Sequence, residues 1–105
     1  MSLEASLKEP MTWQGWDTKV DACVSRWAQR LAGAPGSTRE IGTAALGACT
    51  DALESKASAW AREARAEGQD PQPFDDNLAR YRKDALDLAM FNVAMARAGN
   101  CGVPK

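Results

Sequence analysis

The sequence predicts an all-α protein, an up-down-up antiparallel bundle of three helices, or of four if the second helix breaks near residues 55–58. Three observations carry this. Apolar residues recur at steps of three and four in three successive segments, the period of a helix with one buried face. Alanine, the strongest intrinsic helix former, supplies much of the 45% hydrophobic content. Thr, Val and Ile, which favour strands, are sparse and show no sustained alternation with polar residues.

Residues 1–11 are polar, contain Pro10 and show no period, so they are expected to form an arm ahead of a single helical domain over 12–105. The first helix is expected over 12–32. Trp13, Trp16, Val20, Cys23, Val24, Trp27 and Leu31 trace its apolar face. Thr12 suits an N-cap, and Asp17 brings a negative charge near the first turn. Gly33 is expected at the left-handed position after the helix, with Pro35 blocking continuation.

The second helix is expected over 38–67. Ser37-Thr38-Arg39-Glu40 has the pattern of a capping box, in which the serine hydroxyl and the glutamate carboxylate each accept from the other's backbone N–H. Gly68 and Pro71 end it. Residues 69–73 form a turn-rich linker, and the third helix is expected over 75–98, opened by Asp75 and Asp76. Leu78, Tyr81, Ala85 and Leu88 trace one face, continued by Phe91 or Asn92. Leu86, Met90, Val93 and Ala94 trace a second, so the C-terminal half of this helix is buried more widely or is covered by a partner.

The charge balance is 13 basic against 14 acidic residues, a net −1. This argues against a nucleic-acid binder that relies on a broad basic surface. No run of about 18 apolar residues exists, so no membrane span is expected. The start, Met1-Ser2-Leu3-Glu4, lacks the basic and apolar regions of a signal peptide. Met1-Ser2-Leu3 resembles a start added in cloning, so a mature exported form and a cytoplasmic protein are both open at this point.

The three cysteines are Cys23, Cys49 and Cys101. Gly36 lies midway between the first two. In an antiparallel hairpin, positions equidistant from the turn stand level, each here roughly 12–16 Å along its helix. Ala44, Ala45, Ala48, Cys49 and Ala52 form a small-residue stripe that permits the close approach a disulfide needs. A Cys23–Cys49 disulfide is therefore expected; the alternative is a pair of reduced core cysteines, since free cysteine is among the most buried residue types. A bond would point to a periplasmic or secreted protein, reduced thiols to a cytoplasmic one. Cys101 is the odd thiol, either free or paired with a second chain.

The stretch Cys23-Val24-Ser25-Arg26-Trp27-Ala28, followed by Ile41-Gly42-Thr43-Ala44-Ala45-Leu46-Gly47-Ala48-Cys49, resembles a pattern in uncharacterised exported proteins of Gram-negative bacteria. In those proteins two helices carry one cysteine each, the second after an alanine-rich run. The likeness spans residues 23 to 49 and implies an exported helical hairpin. It brings no activity and no site residues.

Catalytic residue types are thin. Histidine is absent, which removes the commonest general base and metal ligand. No phosphate-binding glycine loop is present, and three scattered cysteines do not make a zinc site. Asp17 with Asp21, and Asp84 with Asp87, can share a helix face. Asp76, Arg80 and Asp84, and Lys83 with Asp87, fit solvated ion-pair ladders better than a metal or catalytic site. No cofactor or metal is expected. Four tryptophans are many for a chain of this size. Trp27 and Trp60 suit the core, while Trp13 and Trp16 next to the arm are candidates for partner contact, as are Met90, Phe91 and Met95.

The functional expectation is a non-enzymatic, exported binding or accessory protein acting through protein–protein contacts or self-association, for instance as a homodimer; an immunity or inhibitor protein is one version. The alternatives are a cytoplasmic helical adaptor with reduced cysteines and a small carboxylate-dependent enzyme. Thiol titration of protein from an oxidising compartment, denatured without reductant, decides the first point. One reactive thiol is expected, and three would exclude the disulfide.

Overall fold

The computed structural model describes residues 11–69 and 74–99. Four helices pack against one another: α1 Trp13–Leu31, α2 Thr38–Gly47, α3 Thr50–Ala66 and α4 Phe74–Arg97. Among the described residues there is no strand. The arm expected over 1–11, except Met11, lies outside the described residues, as does Cys101.

Local chemistry sets most boundaries. Thr12 caps α1 by accepting from the Gly15 N–H at 3.1 Å. The capping box of α2 forms in full, with Glu40 N–H to Ser37 Oγ at 3.0 Å and Ser37 N–H to the Glu40 carboxylate at 2.8 Å. The Ser37 backbone bond, ahead of its hydroxyl, holds the Glu40 carboxyl below the ordinary glutamate range. At the end of α3, Gly68 takes a positive φ of 78°, and its N–H reaches Arg65 O while that of Gln69 reaches Ala64 O. This is the paired closure that favours glycine after a helix.

Two expectations need correction. Gly33 does not take the left-handed conformation; in the α1–α2 connection Gly36 does, at φ 132°. The end of α1 is satisfied instead from α4, because Arg97 donates to Ala32 O at 2.9 Å and to Ala34 O at 3.0 Å. A distant guanidinium supplies what a local glycine turn would have supplied. The second helix does break, but at Ala48–Cys49 and not near 55–58, where α3 runs on unbroken. Gly47 is a poor helix residue, and the Thr50 hydroxyl donates to its carbonyl at 3.0 Å. The Cys49 N–H turns to Leu46 O, a tighter bond than the α-helical one. Cys49 itself is held to α1 by the disulfide with Cys23, the Cα atoms 6.0 Å apart.

The elbow gives the two halves different partners. α2 lies mainly against α4, whereas α3 lies mainly against α1. The core joins Val20, Val24 and Ala28 of α1 to Ile41 and Ala45 of α2, Leu53 and Ala57 of α3, and Leu78, Tyr81, Ala85, Ala89 and Val93 of α4. So many alanines draw the helices close. At Gly42 the approach is closest: a Cβ there would meet Met90 Cγ at 3.0 Å and the Met90 backbone nitrogen at 3.4 Å.

Two results are expected from this packing. Gly42→Leu forces α2 off α4 and costs about 1–3 kcal/mol, the range for overpacked cores, in urea unfolding; Gly47→Leu, with open space around its Cα, costs less. No difference between the two would contradict the close α2–α4 seam.

Candidate functional site

Near one end of the bundle, a lysine is buried between three helices. Lys56 of α3 is 7% exposed. Its ammonium lies 2.7 Å from the Asp17 carboxylate of α1. It also sits 4.2 Å from the ring centroid of Tyr81 and 5.3 Å from that of Trp13. A cation over aromatic faces keeps part of its electrostatic stabilisation when water is removed. The Trp13 indole N–H donates to the Tyr81 hydroxyl at 3.0 Å, and the Trp13 backbone N–H donates to the Glu63 carboxylate. This layer joins α1, α3 and α4, and no described side chain leaves a buried polar atom without a partner.

Lys56 also floors a cleft of about 260 Å³ lined by Asp17 and Asp21 of α1 and by Tyr81, Asp84 and Leu88 of α4. Asp17 is matched by Lys56. Asp21 and Asp84 add negative charge with no ion-pair partner within 4.0 Å among the described residues. Burial, and then repulsion from Asp17, push the Asp21 carboxyl above the ordinary aspartate range, against the opposing pull of Lys56. Among the described residues, no group of three His, Cys, Asp or Glu side chains is placed to hold a metal ion. Lys83 and Asp87 pair at 3.7 Å on the exposed side of α4.

The residues singled out for partner contact fall in different places. Trp13 packs against the core and belongs to the lysine layer. Trp16 is half-buried in an open groove of about 480 Å³ between α1 and α3, shared with Met11, Glu54, Ser58 and Arg62, the last donating to Met11 O at 2.8 Å. Met90 is half-buried against Gly42. Trp27 packs on the core under the Arg30 guanidinium, and Trp60 is half-buried beside Trp13. Phe91 is 61% exposed. With the half-buried Leu88 and Met95 it forms an apolar ridge on α4 at helical spacing.

Lys56 was not legible as a site residue, although a signal existed. Asp17 lies six residues before Cys23 and Lys56 seven after Cys49. The antiparallel register that levels the two cysteines therefore also levels the charged pair, two turns further from Gly36.

No protein-family model, curated protein or solved structure matches this chain. What the structure supports is the coarser description, a small all-helical protein with a disulfide between Cys23 and Cys49. No helix among the described residues is long and apolar enough to cross a membrane.

The pH dependence of Asp21 has a definite sign. Its folded-state pKa is raised above the ordinary 3.8, so the native state holds the proton more tightly than the unfolded chain does. The resulting destabilisation is absent below pH 3.8, grows as pH rises through the raised value, and stays constant above it. Asp21→Asn is expected to raise the melting temperature at neutral pH, with the gain vanishing in acid. A loss of stability at neutral pH would contradict this balance.

Proposed function

We propose that the chain is a non-enzymatic binding protein of an oxidising compartment, periplasmic or secreted, that docks a protein partner through the outer ridge of α4. The observation that carries this reading is Phe91, a large apolar side chain left 61% exposed on a helix whose opposite face is core. Leu88 and Met95 extend the ridge, and Asp84 and Asp87 flank it. Aromatic and methionine side chains are enriched where proteins meet, and the flanking carboxylates favour a partner surface that is apolar and basic. The Cys23–Cys49 bond supports an oxidising compartment and weighs against a cytoplasmic adaptor with reduced thiols. An accessory or inhibitor-type protein fits these features, and self-association is the other outcome that the test distinguishes.

A carboxylate-dependent enzyme has one observation in its favour, the cleft in which Asp17, Asp21 and Asp84 converge and Asp21 is pushed up. Neighbouring carboxyls in unlike surroundings can divide the acid and base roles of catalysis. Against it, Lys56 neutralises Asp17, and no histidine is present to act with a nucleophile.

The test places a photo-reactive residue at Phe91 and, as a control, at the exposed Thr43 of α2. After export in a Gram-negative host, a discrete crosslinked adduct is expected from position 91 and none from 43. An adduct of twice the chain mass identifies a second copy. No adduct, or equal adducts from both positions, overturns the ridge as a docking face. Phe91→Asp is expected to abolish the interaction while shifting stability by no more than about 0.5 kcal/mol, as for other surface changes.

A further inference from the structure

We infer that the Cys23–Cys49 disulfide is a directional thiol-exchange site: an external thiolate attacks Cys23 Sγ and Cys49 leaves as the thiolate. The inference stands apart from the docking face and rests on the different surroundings of the two sulfurs.

Exchange is decided by which sulfur can be reached and which thiolate leaves more readily. Cys49 is 2% exposed, so it is closed to an incoming thiolate. Cys23 is half-buried on α1, the less buried of the two cysteines, and its sulfur is therefore assigned as the point of attack. The leaving-group preference points the same way. Cys49 is the N-cap residue of α3 and, while bridged, makes no side-chain capping bond. The first backbone N–H groups of a helix have no intrahelical acceptor, and the positive end of the helix dipole lies there. A thiolate released at that position is stabilised by both, as cysteines at helix N-termini are. Cys23 lies in the interior of α1, where the amides are already bonded along the helix. Asp51, in the first turn of α3, works against the Cys49 thiolate.

The step balances. The attacking thiolate forms a new S–S bond to Cys23, the Cys23–Cys49 bond breaks, and the electron pair leaves on Cys49 Sγ. A second thiolate of the same kind then attacks the external sulfur of the mixed disulfide. Cys23 departs as a thiolate and takes up a proton. Two thiols have been oxidised to one disulfide, and the protein disulfide has gained the two electrons. Opening the bond removes the covalent tie between the α2–α3 elbow and α1 and frees Cys49 Sγ to cap α3.

The experiment exposes the full oxidised chain briefly to reduced glutathione, quenches with acid and N-ethylmaleimide, and maps both adducts by peptide mass spectrometry. Glutathione on Cys23 with maleimide on Cys49 is expected to exceed the reverse arrangement by about tenfold or more. An even split, the reverse arrangement, or no mixed disulfide under conditions where dithiothreitol opens the bond overturns the proposal. Asp51→Asn supplies a second reading on folded protein. Removing the charge beside the leaving thiolate is expected to speed opening roughly two- to threefold, and an unchanged or slower rate overturns the role given to the α3 N-terminus.

Discussion

Cys23 and Cys49 stand 6.0 Å apart at Cα, closer than the roughly 8–10 Å usual between packed helix axes. This close crossing of α1 and the start of α3 conditions much of the rest. It requires small neighbours, which Ala45 and Ala52 supply. It pulls Cys49 out of the line of α2, so one continuous helix becomes two with an elbow at Ala48–Cys49. The elbow in turn lets α2 lie on α4, against Gly42, while α3 lies on α1.

Two turns away, the same register brings Asp17 beside Lys56. An ion pair whose lysine is buried is a poor source of net stability, because desolvation of the ammonium cancels much of the attraction. Its value here is positional. A buried lysine tolerates few alternative arrangements, and this one is satisfied only when α1 supplies Asp17 and Trp13 and α4 supplies Tyr81. We read the layer as a device that selects one packing of an alanine-rich core, which by its small, similar side chains specifies helix register weakly.

The surface divides by the same logic. Side chains near the crossing and the lysine layer are committed to holding helices together, and these include Trp13 and Met90. Phe91 of α4 takes no part in either contact and stays exposed. In the acidic cleft, burial and then the neighbouring Asp17 charge make Asp21 a destabilising element at neutral pH.

The helical class, the starts of α1, α2 and α4 and the level of Cys23 with Cys49 were legible in the sequence, because each follows from local rules of period, capping and distance from a turn. The position of the break was not. Gly47 is a weaker helix former than any residue from Ser55 to Ser58, but a lone glycine does not oblige a helix to break, and the elbow falls where Cys49 is bonded to α1. Nor was the way α1 is closed, where a guanidinium 65 residues away replaces a glycine turn. Lys56 reads as an ordinary surface charge until α1 and α4 close over it. The disulfide spans these two kinds of information: composition and register placed the pair, but only the packed structure decided that Cys49 is buried at the N-terminus of α3 while Cys23 is half-buried within α1.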